Sequence, residues 1–110
     1  SVEVKKPELS NPKIKVKKKR KTLNIYWGII PDSSKGIEIY MKEGKNKKYK
    51  KVNTTTNLKK NKNKKGAVGI TASKKYLKKG KKYSFRARTY TYFNNEKIYG
   101  KWSKTVSIKG

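Results

Sequence analysis

The chain of 110 residues contains neither cysteine nor histidine. These absences exclude disulfide bonds, thiolate chemistry and the imidazole that most often serves as general base or metal ligand. Carboxylates are few, and no two of them stand at a spacing that suggests acid–base work or a calcium loop. The six acidic residues are Glu3, Glu8, Asp32, Glu38, Glu43 and Glu96. We therefore predict that the chain is not an enzyme and binds no cofactor and no metal.

Long apolar runs are missing as well. The longest cover only a few positions, whereas a membrane-spanning helix needs about 20 apolar residues, and there is no secretory leader pattern. The glycines at positions 66 and 69 are not followed by a helical pattern, so they do not form a loop that aims amides at a phosphate. We expect no membrane insertion.

Positive charge is what the chain has in excess. Its 33 basic residues are all lysine except for Arg20, Arg86 and Arg88, and the formal net charge is +27. The lysines cluster at residues 13–21, 45–51, 59–65 and 74–82. Such charge attracts polyanions, but lysine lacks the planar fork with which arginine reads phosphates and bases. Two interpretations stay open: a codon bias toward lysine, or an electrostatic surface for an anionic polymer.

Apolar residues alternate with polar ones along most of the chain, and no helical period of useful length occurs. This pattern predicts an all-β domain over residues 7–110, preceded by a flexible segment at residues 1–6. Ile14 and Val16 alternate with lysines, which is typical of a half-buried edge strand. The polar stretch at residues 53–65 predicts a mobile loop. In the last strand Trp102 and Lys104 share a parity with Val106, which predicts a bulge there or an exposed end.

The same alternation predicts which side chains form the core. Trp27 ends one strand, and Tyr83 begins another on an inward parity. The predicted core residues are Leu23, Ile25, Trp27, Ile37, Ile39, Met41, Leu77, Tyr83, Phe85 and Ala87. Large aromatic side chains bury roughly 150–250 Å² each, so that a small core is feasible although only 32% of the residues are apolar.

Leu77, Gly80 and Tyr83 form the pattern of a tyrosine corner, in which a tyrosine hydroxyl bonds the backbone a few residues upstream. Together with the strands Leu23-Asn24-Ile25-Tyr26-Trp27 and Gly36-Ile37-Glu38-Ile39-Tyr40-Met41 and the run Tyr99-Gly100-Lys101-Trp102-Ser103, it resembles the fibronectin type III family, particularly the lysine-rich versions on bacterial surface and secreted proteins. The resemblance implies a seven-stranded, immunoglobulin-like β-sandwich. It also implies that the protein is extracellular, either at the cell surface or secreted. It further implies a monomer whose partners are neighbouring domains of the same polypeptide. The Arg-Gly-Asp tripeptide that some members use for cell adhesion does not occur.

One outward face combines arginines with tyrosines. Tyr40, Arg86, Arg88 and Tyr90 lie on outward parities of strands expected to be neighbours. They could contact a glycan or polyanion by stacking and charge. Alternatively, Glu38 pairs with Arg86 or Arg88 in a cross-strand ladder that serves the fold alone.

These observations favour a non-catalytic spacer or protein interaction module of a larger bacterial surface or secreted protein. The alternative is a polyanion- or carbohydrate-binding module whose lysine-rich surface contacts teichoic acid in the cell wall, a glycosaminoglycan or another glycan. Specific binding of nucleic acid is disfavoured, because lysine prevails over arginine.

Overall fold

The computed structural model describes residues 7–19, 22–28, 30, 33–44, 48–56, 66–71 and 80–109, and for residues 19, 22 and 66–71 it describes the backbone only. The flexible segment predicted at residues 1–6 and the predicted core residue Leu77 lie outside these ranges.

The described residues form strands, turns and irregular segments, without a helix. The strands are β1 (Ile14–Lys19), β2 (Thr22–Trp27), β3 (Gly36–Glu43), β4 (Lys50–Thr55), β5 (Gly66–Thr71), β6 (Lys82–Phe93), β7 (Glu96–Tyr99) and β8 (Val106–Lys109). All of their pairings are antiparallel. The all-β prediction is thereby confirmed. The described residues therefore include no helix that could cross a membrane.

The strands divide into two sheets. One has the order β1-β2-β5, and the other has the order β4-β3-β6-β7, with β8 also paired to β6. Since β7 and β8 lie along the same side of β6, they occupy one strand position, and the described strands fill seven positions. The sheets approach each other where β1 lies beside β6 and β8, and where β4 lies beside β5. The structure is a sandwich-like arrangement of two antiparallel sheets.

Inward-facing side chains from both sheets form one core. Trp27 on β2 and Tyr83 and Phe85 on β6 are the largest of the fully buried side chains. The buried apolar cluster consists of Ile14, Leu23, Ile25, Trp27, Ile37, Ile39, Tyr83, Phe85 and Ala87. Met41, which the alternation places in the core, is only partly buried and packs against the margin of this cluster. Since Met41 lies near the end of β3, it has fewer neighbours to cover it.

The tyrosine-corner pattern is described in part. Gly80 has a positive φ of 83°, which a glycine adopts without steric cost, and Tyr83 is completely buried at the start of β6. The upstream residues 72–79 that the corner would bond lie outside the described ranges.

The last strand position is interrupted. Between β7 and β8, residues 100–105 leave the ladder but stay on β6, where the Ser103 amide donates to the Ala87 carbonyl at 2.7 Å. The Ala87 amide donates to Ser103 Oγ at 2.9 Å, so a side chain replaces the missing backbone partner. This detour shifts the alternation of inward-facing and outward-facing side chains between β7 and β8. Lys104 is exposed within it. In place of the bulge predicted between Trp102 and Val106, residues 100–105 separate two strands.

Two boundaries differ from the sequence prediction. Residues 53–55, predicted as the start of a mobile loop, belong to β4, because Asn53, Thr54 and Thr55 pair with Ile39, Glu38 and Ile37 of β3. Threonine fits a pleated, half-buried surface well, and the pairing outweighs the polarity of the stretch. The rest of that loop, at residues 57–65, lies outside the described ranges. β6 runs to Phe93, beyond its predicted end near residue 91, and the positive φ values of Asn94 and Asn95 complete its hairpin with β7.

Candidate functional site

The outer face of the larger sheet brings together the predicted candidate residues. The β3–β6 register pairs Glu38 with Arg88 and Tyr40 with Arg86, and it pairs Gly36 with Tyr90. All of these residues share one face because alternate side chains of a strand point to the same side. We call this surface the paired face and define it by Glu38, Tyr40, Arg86, Arg88 and Tyr90.

Glu38 is the electrostatic centre of the paired face. Its side chain is only 1% exposed although it points away from the core. Lys97 Nζ lies 2.7 Å from Oε2, Arg88 Nε lies 3.3 Å from Oε1, and Lys51 Nζ lies 3.8 Å from Oε2. The Tyr40 hydroxyl also donates to Oε1 at 3.4 Å. Each carboxylate oxygen therefore has a cationic partner within the sheet.

These contacts change the protonation of two groups. Burial alone would raise the pKa of Glu38, but the hydrogen bond and charge of Lys97, the hydrogen bond from Arg88 and the charge of Lys51 outweigh it and lower that pKa. The hydrogen bond to Glu38 raises the pKa of Lys97. The pair is therefore charged over the neutral pH range, which is the protonation state that a structural ion pair needs.

Aromatic rings surround both arginines. The guanidinium carbon of Arg88 lies 3.6 Å from the centre of the Tyr99 ring and 4.4 Å from that of Trp102. The guanidinium carbon of Arg86 lies 4.0 Å from the Trp102 ring and 4.1 Å from the Tyr49 ring. Trp102 therefore contacts both arginines, in a continuous series of stacked cations and rings. Each such contact contributes roughly 0.5–1 kcal/mol at exposed sites.

The two arginines differ in their hydrogen bonds. Arg88 donates to Glu38 and also to the Tyr40 hydroxyl, at 3.3 Å each. For Arg86, by contrast, no described residue accepts a hydrogen bond from the buried Nε atom. Arg86 is thus held by the ring faces of Tyr49 and Trp102, and Arg88 is held by rings and by a carboxylate.

Tyr90 lies on the paired face but has little contact with solvent. It is 5% exposed, and Lys97 Nζ stands 4.3 Å from the centre of its ring. The ring lies directly over Gly36, where an added methyl group would stand 2.5 Å from the Tyr90 hydroxyl oxygen. The lack of a side chain at Gly36 therefore lets Tyr90 lie flat against the sheet.

Sequence reasoning identified Glu38 as a partner of these arginines but missed five contributors to the face: Tyr49, Lys51, Lys97, Tyr99 and Trp102. Lys97 and Tyr99 could have been found, because β7 pairs them with Tyr92 and Tyr90 across the hairpin. Trp102 faces the arginines only because of the break in the last strand, and Tyr49 precedes β4 in an irregular segment. No periodic pattern identifies those two.

A second concave surface lies on the smaller sheet. Lys15 and Lys17 belong to β1, Lys13 stands just before it, and Tyr26 of β2 is paired with Lys15. With Gly28 they border a half-open cleft of about 330 Å³, to which Ile14 and Trp27 also contribute. We call this surface the lysine cleft and define it by Lys13, Lys15, Lys17, Tyr26 and Gly28.

No group of three acidic, histidine or cysteine side chains in the described ranges is placed to hold a metal ion. No protein-family model matches the chain, and a search among curated proteins finds no relative.

Proposed function

We propose that the chain is a fibronectin type III-like module. The division of the strands supports this assignment, with β1, β2 and β5 in one sheet and the other strand positions in the second. The positive φ of Gly80 and the burial of Tyr83 agree with a tyrosine corner at the start of β6. Trp27 at the end of β2 is buried in the core between the sheets, as in such a module.

We further propose that the module is a non-catalytic spacer or interaction domain of a larger bacterial surface or secreted protein. The observation that carries this proposal is the internal pairing of the paired face. Glu38 is neutralised by three cations, and both arginines are stacked between rings. The groups that could have bound a ligand instead stabilise contacts between strands. Such contacts hold neighbouring strands of the sheet together, and a stable sheet is what a spacer requires.

A second candidate function is the binding of an anionic polymer through lysines. It is supported by the smaller sheet, whose strands contain no acidic residue. Lysines on that sheet therefore have no acidic neighbour within its strands to reduce their attraction for anions.

The spacer proposal can be tested by binding measurements on Arg86→Ala and Arg88→Ala. We expect that neither variant loses a salt-resistant interaction with neutral or anionic glycans, because the protein has none at the paired face. Any attraction to anionic polymers should fall steeply as salt rises, since counterion release drives it. Lys101→Ala, which removes one exposed positive charge elsewhere, is the matched control.

A glycan that binds at 0.5 M salt and is lost on Arg86→Ala or Arg88→Ala, but not on Lys101→Ala, would overturn the spacer proposal. Circular dichroism of each variant ensures that a lost interaction does not reflect unfolding.

A further inference from the structure

The two sheets differ in where their carboxylates lie. Glu38, Glu43 and Glu96 all belong to strands of the larger sheet. The strands β1, β2 and β5 of the smaller sheet carry none, and β5 places Ala67 and Gly69 opposite Tyr26 and Asn24. The outer face of the smaller sheet therefore has positive charge without an acidic strand residue to neutralise it.

The lysines of the lysine cleft have no ion-pair partner among the described residues. The described ion pairs involve Glu38 and Glu43 only, and the cations in them are Lys51, Lys81, Arg88 and Lys97. Lys13, Lys15 and Lys17 are all exposed. Three lysines that border one concave surface repel each other, and an anion beside them would relieve that repulsion.

The arrangement of the charges indicates the shape of the ligand. Alternate residues of a strand stand about 6.7 Å apart, so that Lys15 and Lys17 of β1, with Lys13 just before the strand, form a row. A linear polymer with one negative charge in each short repeat matches such a row. The cleft of about 330 Å³ is at the lower end of the range for small-molecule sites, which suits one small repeat rather than a large ring system.

Two features argue against nucleic acid as the occupant. Proteins that hold single strands stack successive bases on several aromatic side chains, whereas the described lining of the cleft has only Tyr26 and Trp27, and Trp27 is buried. The cations are lysines, which act as point charges and do not read a base edge as the arginine fork does. A phosphodiester chain without bases needs neither a series of stacking rings nor an arginine fork.

We propose that the lysine cleft binds a linear polyol- or sugar-phosphate chain, with one phosphodiester group in the cleft and its neighbours along the row of lysines. The proposal builds on the second candidate function, the binding of an anionic polymer, and places it on one surface. Tyr26 supplies an apolar wall for the carbon atoms of the chain, and the space beside Gly28 admits one repeat, since a methyl group at Gly28 would meet no atom within 4 Å.

The test is the affinity of the full chain for a fluorescent glycerol-phosphate octamer, measured by anisotropy between 50 and about 200 mM salt. Lys13→Gln/Lys15→Gln/Lys17→Gln is compared with the control Lys50→Gln/Lys101→Gln/Lys104→Gln, which removes the same charge from exposed lysines of β4 and of the segment between β7 and β8. We expect the cleft variant to bind about a hundredfold more weakly at 50 mM salt and its slope against log salt to fall by about 2. The control should lose less than about tenfold.

Gly28→Leu tests whether binding depends on the shape of the lysine cleft as well as on its charge. It fills the cleft and leaves the net charge unchanged, so that the octamer should bind about tenfold more weakly with the same electrostatic background. A single-stranded DNA oligonucleotide with the same number of phosphates should not respond to Gly28→Leu, because its bases do not fit the cleft.

Each outcome is decisive. Equal losses in the two triple variants would overturn the lysine cleft and leave only diffuse binding of anionic polymers. If the octamer does not bind at 50 mM salt, both the cleft and the second candidate function are wrong. If DNA or a heparin octasaccharide binds more tightly than the octamer and is lost on Gly28→Leu, the proposed occupant is wrong.

Discussion

The outer faces of the two sheets differ in whether their charged side chains have partners among the described residues. On the larger sheet, Glu38 is buried among three cations, and the two arginines are stacked against aromatic rings. On the smaller sheet, Lys13, Lys15 and Lys17 are exposed without a described ionic partner. The positive charges that give the net charge of +27 therefore have different roles on the two faces. One face uses its cations to hold strands together, and the other leaves them available to solvent and to anions.

This difference shows why net charge alone does not predict function. A charged group that is already paired contributes to stability and has little left to offer a ligand. A cation that repels its neighbours slightly opposes the fold and gains from any anion that approaches. Mutations on the paired face should therefore affect stability, and mutations on the lysine cleft should affect binding.

The largest expected effect is that of Glu38→Gln. The substitution keeps the shape of the side chain but removes the negative charge that Arg88, Lys97 and Lys51 share. We expect the free energy of unfolding in urea to fall by about 2–3 kcal/mol, because charge-assisted hydrogen bonds in a buried site are lost. Glu43→Gln is the control, since solvent screens the exposed Glu43–Lys81 pair and its loss should destabilise the fold much less than the loss of the Glu38 charge. Similar losses in the two variants would contradict the central role of Glu38.

A second experiment compares the two arginines of the paired face. Arg88→Ala removes a partner from the buried carboxylate of Glu38, and we expect a loss of about 1.5–2 kcal/mol in unfolding free energy. Arg86→Ala removes only stacking with Tyr49 and Trp102, for which about 1 kcal/mol is expected. If Arg86→Ala proves the more destabilising, the rings and not the carboxylate hold the face together.

Acid should weaken the paired face in a way that depends on Glu38. Because the folded state lowers the pKa of Glu38, its contribution to stability is fully present above the unfolded value near 4.5. That contribution is lost as pH falls from about 4.5 through the lowered folded-state pKa, at about 1.4 kcal/mol for each unit of the difference. Urea unfolding between pH 7 and pH 2 should therefore show a steeper acid loss for the wild type than for Glu38→Gln. Parallel curves would show that Glu38 does not titrate differently in the folded state.

Much of the paired face could be predicted from the alternation of side chains along the strands. The remainder depends on places where that alternation is interrupted. The alternation along β3 and β6 is enough to place Glu38 opposite Arg88, because antiparallel neighbours share a face. Trp102 could not be placed in this way. Its position depends on the Ser103 side chain, which replaces a backbone partner of Ala87 and moves the chain out of register. A local hydrogen bond of this kind has no periodic signal. Likewise the lysine cleft arises from the pairing of β1 with β2, whereas the sequence indicates only a basic cluster.

The smallest effect on stability is expected on the lysine cleft, where Lys15→Gln/Lys17→Gln should change the free energy of unfolding by no more than about 0.5 kcal/mol. The direction should be toward higher stability at low salt, because the change removes repulsion between exposed charges, and about 0.5 M salt should abolish the difference. Lys97→Gln is the matched control on the paired face. It removes the 2.7 Å contact with Glu38 and should destabilise the fold by about 1–2 kcal/mol at either salt concentration. A loss of more than about 1 kcal/mol in Lys15→Gln/Lys17→Gln would mean that these lysines have anionic partners within the chain, and the contrast between the two faces would then be wrong.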